Sequence, residues 1–181
     1  MAEKLVVFDL DETLVHATTK KLTINEDFVF DHYYVYVRPY LNELLSQLVT
    51  SGFRIGIWSS AGEAYVEYLI KSIVPQEVPL ELVWARGRCT RRYNSELDEY
   101  VYEKQLRKLK KRGFKLTDIW IVDDTPEKSR TNYGNAITIK EFKGDKNDRE
   151  LQYLLVYLLT SKHCDNVRHI DKRSWRETIL I

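Results

Sequence analysis

The sequence predicts an α/β protein of Rossmann-like architecture, a parallel sheet with helices on both faces. Three observations carry this reading. Short β-rich apolar runs recur at residues 4–8, 54–58, 119–122 and 136–139. They are apolar throughout instead of alternating, as strands buried on both faces are. Between them lie stretches whose apolar residues fall at three-to-four spacing, the period of an amphipathic helix.

The first run, Leu5-Val6-Val7-Phe8, closes on an acidic turn. Residues 27–37 follow, with Phe28, Phe30, Tyr34 and Tyr36 flanking the turn-like pair Asp31-His32, and read as a small β insertion. Leu41, Leu44, Leu45 and Leu48 predict a helix after Pro39, and Tyr65, Val66, Leu69 and Ile73 a second after Gly62. Residues 80–93 read as a second small β insertion, and Tyr102, Leu106 and Leu109 as a third helix. Thr125-Pro126-Glu127 reads as a helix start, with proline at the first position and the threonine hydroxyl as its cap. Leu151, Leu154, Leu155 and Leu158 give a last helix, and the tail after Val167 a packed or frayed extension. No repeat or Gly/Ser linker divides the chain, so one domain over 1–181 is expected, with its core at 4–160 and an extension at 161–181.

The 28 basic side chains nearly balance 27 acidic ones, leaving a net charge of +1 and no global electrostatic case for nucleic acid or an anionic membrane. The first apolar run is far too short for a signal peptide or a membrane span, so an intracellular protein is expected, cytoplasmic or, in a eukaryote, nuclear. Cys89 and Cys164 lack zinc spacing and read as reduced thiols. His16, His32, His163 and His169 show no ligand spacing and read as structural.

Open α/β sheets bind ligands beyond the carboxyl ends of their strands. There the first strand runs into Asp9-Leu10-Asp11-Glu12-Thr13, the second into Ser59-Ser60, and the strand from Ile119 into Asp123-Asp124-Thr125-Pro126. In near-extended chain, Asp9 and Asp11 share a side and Leu10 turns away. Lys104 approaches from the helix between the later strands. Crowded carboxylates repel unless a cation lies among them, and an oxygen-only ligand set suits Mg²⁺. With a lysine to neutralise a phosphate, such a set supports attack on phosphorus by a carboxylate, while a second carboxyl group protonates the leaving oxygen and then activates water. Physics alone leaves open which aspartate does which.

These residues resemble the haloacid dehalogenase superfamily: Asp9-Leu10-Asp11-Glu12-Thr13 its D-x-D-x-T signature, Ser59 its second motif, Lys104 its third, Asp123-Asp124 its fourth. More narrowly, Leu10-Asp11-Glu12-Thr13-Leu14-Val15-His16, Arg38-Pro39, Trp58-Ser59 and Asp123-Asp124-Thr125-Pro126 resemble the RNA polymerase C-terminal-domain phosphatases of FCP/SCP type (NLI-interacting-factor-like) and their bacterial relatives. The resemblance implies Asp9 as nucleophile and metal ligand, and Asp11 as acid and base whose backbone carbonyl also reaches the metal. It implies Ser59 as phosphate-binding hydroxyl and Lys104 as the phosphoryl-stabilising cation. Asp124 would be a direct Mg²⁺ ligand, Asp123 the partner orienting Lys104, and Thr13 a brace for the loop. It further implies a fold without a large cap domain and a phosphoserine- or phosphothreonine-bearing protein as substrate, although position 59 is Ser where these phosphatases more often carry Thr. Alternatives are a small-molecule phosphomonoesterase of the same fold and a non-catalytic scaffold. Arg86, Arg88, Arg91 and Arg92 are candidates for guiding an acidic substrate, and the aromatics of the first insertion for walling a peptide.

Overall fold

A computed structural model of the chain describes residues 3–95 and 98–179. In order these form β1 (Leu5–Phe8), β2 (Val15–Thr18), β3 (Phe28–Phe30), β4 (Tyr33–Val37), α1 (Leu41–Thr50), β5 (Arg54–Trp58), α2 (Glu63–Ile73), β6 (Leu80–Trp84), β7 (Thr90–Asn94), β8 (Glu99–Glu103), β9 (Ile119–Asp123), β10 (Ala136–Thr138) and α3 (Glu150–Ser161), with short 3₁₀ turns between them. The main sheet is parallel, ordered β10-β9-β1-β5-β6. β1 lies at its centre, with Leu5 in register with Arg54 on one side and Ile119 on the other. The α/β reading therefore holds.

Alternate strand residues face opposite layers. Val6, Phe8, Ile55, Ile57, Trp120 and Val122 pack under all three α-helices, where the periodic leucines of α1 and α3 are buried as expected. Each such leucine contributes about 2 kcal/mol through loss of water contact. Leu5, Val7, Ile119 and Ile121 face the other way, onto Leu106, Leu109 and Phe114. Helical segments thus cover both faces unequally, α-helices on one and a 3₁₀ turn on the other.

Three local expectations are corrected. Residues 80–84 are no insertion; they form β6, the edge strand of the main sheet, because Gly56 lets the two chains close up. A Cβ there would stand 2.9 Å from Leu82 Cγ. The residues after Trp84 leave this sheet, through a 3₁₀ turn at Arg86–Arg88 into β7, which pairs antiparallel with β8. The third helix is also different: Tyr102 is in β8 and Leu106 begins a 3₁₀ turn, Leu106–Arg112. Tyr100, Val101 and Tyr102 are β-favouring residues, each opposite a residue of β7, a signal that the basic run after them obscures. Last, Thr125 does not cap the turn Pro126–Asn132; its hydroxyl donates to Asp124 Oδ2 at 3.0 Å.

The first insertion is a three-stranded antiparallel sheet ordered β2-β4-β3, turning at Asp31 with φ 52°. The C-terminal tail is packed: Trp175 is fully buried against Tyr157, and its indole N–H donates to the Thr138 carbonyl at 3.0 Å. Among the described residues no helix is long and apolar enough to cross a membrane.

Candidate active site

The loop after β1 is held from several directions. Asp9 N–H still donates into the sheet, to the Val122 carbonyl at 2.9 Å, while Leu10 turns into the core. The Leu10 carbonyl then accepts from Thr13, Leu14 and Val15, a tight reversal that puts Glu12 at φ 57°. Thr13 accepts from the Asp124 N–H at 3.2 Å and donates to Asp124 Oδ1 at 3.3 Å, tying the β1 and β9 loops together. The fully buried Arg38 donates to the Thr13 carbonyl at 3.0 Å, the Lys140 carbonyl at 2.9 Å and both oxygens of Asp148.

Two ammonium groups meet the carboxylates at this sheet edge. Lys104 Nζ lies 2.7 Å from Asp9 Oδ1 and 2.6 Å from Asp123 Oδ2 and is wholly buried. Lys128 Nζ takes the other oxygens, 3.1 Å from Asp9 Oδ2 and 4.0 Å from Asp123 Oδ1, and keeps some contact with solvent. Burial works to raise the Asp9 pKa, but the two lysines outweigh it and hold the carboxyl below its ordinary range. Burial and the Asp9 charge push Asp123 up to about 7. Burial opposes charge on both lysines, yet Asp123 and Asp9 keep Lys104, and Asp9 and Asp123 keep Lys128, above the ordinary lysine value.

Lys104 owes its position to the turn after β9 and not to a helix. Its N–H donates to the Lys128 carbonyl at 2.8 Å, and buried Asn132 donates to its carbonyl at 2.5 Å while accepting from Leu106 N–H at 3.2 Å.

The Asp11 carboxyl faces away from this pair. Its Oδ1 accepts from the Tyr65 hydroxyl at 2.5 Å, and its Oδ2 lies 3.5 Å from the Ser59 hydroxyl, which itself accepts from Ala61 N–H at 2.9 Å. Burial, then the Asp9 charge, raises the Asp11 pKa, whereas that of Asp9 is lowered, so the two neighbouring carboxyl groups are pushed apart in acidity. Beside it is a recess of about 390 Å³ lined by Phe30, Tyr33, Tyr65 and Arg86. Of the four arginines singled out, Arg86 reaches this recess; Arg92 pairs with Glu103, and Arg88 and Arg91 lie over Trp84 and Tyr100.

Asp9, Asp123 and Asp124 each offer an oxygen within 4.8 Å of the others. A set of carboxylate oxygens this close fits a hard divalent cation. The cluster draws in the Asp123 side chain and leaves out that of Asp11.

The seven expected site residues, Asp9, Asp11, Thr13, Ser59, Lys104, Asp123 and Asp124, thus converge. Sequence reasoning missed Lys128, Tyr65, Arg38 as a clamp, and Asn132. Lys128 has a readable signal, since it stands four residues after Asp124 in a turn opened by Pro126. Tyr65 sits on the helical stripe of α2 and looks like any core aromatic.

The family of NLI interacting factor-like phosphatases matches residues 4–168. A Dictyostelium discoideum protein, CTD small phosphatase-like protein 2, is 29% identical over 170 residues, covering 90% of this chain and 28% of that protein. Nuclear envelope morphology protein 1 of Schizosaccharomyces pombe is 25% identical, covering 94% of this chain and 36% of its own length. The chain therefore spans about a third or less of these relatives, whereas it covers 94% of a CTD phosphatase-like protein of Invertebrate iridescent virus 6, at 27% identity. Among solved structures, fission yeast RNA polymerase II CTD phosphatase Fcp1 superposes with a TM-score of 0.56 at 19% identity over 88% of this chain and 50% of that one. An uncharacterized Listeria monocytogenes protein gives 0.59 at 16% identity over 89% and 99%. At these identities the superpositions speak for the fold.

Proposed function

The chain belongs to the NLI interacting factor-like phosphatase family, and from that premise we propose that it is a Mg²⁺-dependent phosphomonoester hydrolase working through a phosphorylated Asp9, with phosphoserine or phosphothreonine in proteins as substrate. The observation that carries this is the contrast between two carboxyl groups two residues apart: Asp9 is gripped by two ammonium groups and its pKa is lowered, while Asp11 turns to the Tyr65 and Ser59 hydroxyls and its pKa is raised by burial and the Asp9 charge. We assign all of it to one phosphatase domain over 1–181.

In this mechanism an Asp9 oxygen attacks phosphorus, the bond from phosphorus to the ester oxygen breaks, and Asp11 gives its proton to the departing alcohol. Asp11, now a carboxylate, takes a proton from water as the water oxygen attacks the acyl phosphate, and inorganic phosphate leaves with Asp9 restored. Lys104 and Lys128 neutralise charge around the nucleophile, and Ser59 donates to a phosphoryl oxygen from beside Asp11. Mg²⁺, when held by Asp9, Asp124 and the Asp11 carbonyl with Asp123 alongside, supplies the charge that lets a phosphate dianion approach a carboxylate. The recess walled by Phe30, Tyr33 and Tyr65 supports a peptide substrate, because it is open to solvent and apolar next to the leaving-group acid.

The test is hydrolysis of p-nitrophenyl phosphate with and without Mg²⁺, then of phosphoserine, phosphothreonine and phosphotyrosine peptides. Asp9→Asn keeps shape and removes the nucleophile, so turnover is expected to fall about a thousandfold or more. Full activity in Asp9→Asn overturns the mechanism, and turnover of small esters without any phosphopeptide overturns the protein substrate.

A further inference from the structure

A second recess, of about 770 Å³, lies against the outer edge of β10, the edge strand of the main sheet. Its walls are cationic. Arg130 comes from the turn after β9, Lys140 from the chain after β10, and Arg168, Lys172, Arg173 and Arg176 from the C-terminal segment; among the described residues Asp171 is the one carboxylate lining it. The chain as a whole is nearly neutral, at 28 basic to 27 acidic residues, so this is a local segregation of charge.

Part of the wall is built and part is free. Arg176 is held by Glu150, and Lys172, itself buried, donates to the carbonyls of Val167 and Ile170 at 2.5 and 2.7 Å. Trp175 fastens the same segment to the Thr138 carbonyl, and Tyr157 of α3 donates to the segment's Asp171 carbonyl at 3.1 Å. Asp171 turns to its own loop, accepting from Arg173 N–H at 2.9 Å and from the Ser174 hydroxyl at 3.1 Å. Arg130, Lys140, Arg168 and Arg173 are exposed and make no ion pair among the described residues. Arg168 lies across Gly134, where a Cβ would stand 3.3 Å from its Nε. Like charges gathered on a rigid wall repel one another unless an anion lies between them, and guanidinium groups match carboxylate and phosphate oxygens in pairs.

The recess also borders the candidate active site. Thr138 lines it and is the register partner of Asp123 in the neighbouring strand. Pro126, at its other wall, opens the turn that carries Lys128 inward to Asp9 and Arg130 outward.

We infer that this recess docks an acidic, Asp- or Glu-rich stretch of the protein substrate while its phosphoryl group sits at Asp9. This rests on the phosphoprotein reading above and narrows it, making the enzyme selective for phosphorylated residues with acidic flanks.

The experiment combines Arg130→Glu, Arg168→Glu and Arg173→Glu in one protein; none of these side chains touches the catalytic groups. Hydrolysis of p-nitrophenyl phosphate, which has no flank, is expected to stay at the wild-type rate, which also certifies the fold. On a phosphoserine peptide with an Asp/Glu run, kcat/KM is expected to fall about tenfold through KM, to the level of a neutral-flank peptide, which itself does not change. Equal loss on both peptides, or no loss on the acidic one, overturns the inference. So does an oligonucleotide that displaces the acidic peptide at lower concentration than the peptide binds. Were the wild type to hydrolyse nothing, the phosphatase reading would fall first; fluorescence anisotropy of an unphosphorylated acidic peptide then decides the recess alone. Binding by wild type and loss in the triple variant sustain the docking site, and no binding by wild type overturns it.

Discussion

The carboxylates and the ammonium groups of the site reach the same point by different routes. Asp9, Asp123 and Asp124 come from the ends of adjacent parallel strands, so sheet register, with the Thr13 tie between the two loops, sets their spacing. Lys104 and Lys128 come from irregular chain and 3₁₀ turns, and depend on individual hydrogen bonds to each other's backbone and to Asn132. The acidic half of the site is as rigid as the fold, whereas the basic half is only as rigid as a few contacts.

Removing a cation tests that contrast most severely. Lys104→Met leaves Asp9 and Asp123 buried without their shared partner, and kcat at saturating phosphoester is expected to drop about a thousandfold. Lys128→Met, at a partly solvated position, should cost about tenfold; equal losses for the two would erase the distinction between them. Next is the acidic half's own dependence on a distant clamp. Arg38→Ala strands the partly buried Asp148 and frees the Thr13 carbonyl, so urea unfolding should show about 3 kcal/mol of lost stability. A smaller effect is expected from Asn132→Ala, which loosens the Lys104 backbone without touching the carboxylates. It should lower kcat about tenfold with KM unchanged, and Asn132→Asp, which keeps the oxygen toward Leu106 N–H, should recover part of the loss.

The smallest effect is one of pH. Glu12, through burial and then the charges of Asp11 and Asp124, and Asp123, through burial and Asp9, both have pKa values raised to about 7 in the fold. A carboxyl whose folded pKa is raised binds more protons folded than unfolded between about 4 and 7, so it loses stability as pH rises through that window. In EDTA, the melting temperature should therefore fall from pH 5 to pH 7.5, and Mg²⁺ should flatten the slope. A melting temperature that rises over this range in EDTA would show that the cluster is already compensated by its two lysines.

The same division explains what could be read from the sequence. Strands and helix stripes were legible because each leaves a local pattern, an unbroken apolar run or a three-to-four spacing: Leu5 to Phe8 marks a strand, and the acids that follow must lie at its carboxyl end. β6 was not, since the device that joins it to the sheet is an absent side chain, Gly56, whose meaning appears only when Leu82 lies against it. The strand carrying Tyr102 was masked by the basic turn after it, so Lys104 was found at the right place for the wrong structural reason. Tyr65 and Asn132 act through contacts across long stretches of chain, and no local pattern announces such contacts.

The central place of β1 also has a consequence for how the protein is made. Its neighbours are β5 and β9, so the strand that ends in Asp9 leaves the ribosome first but is flanked on both edges only once residues up to 123 have been synthesised. Until then an apolar strand has a bare edge, the feature that invites pairing with other chains. Asp9 is thus translated before the strands that flank β1 and assembled late, and slowing translation before β9 should lengthen the interval in which the nascent chain needs a chaperone.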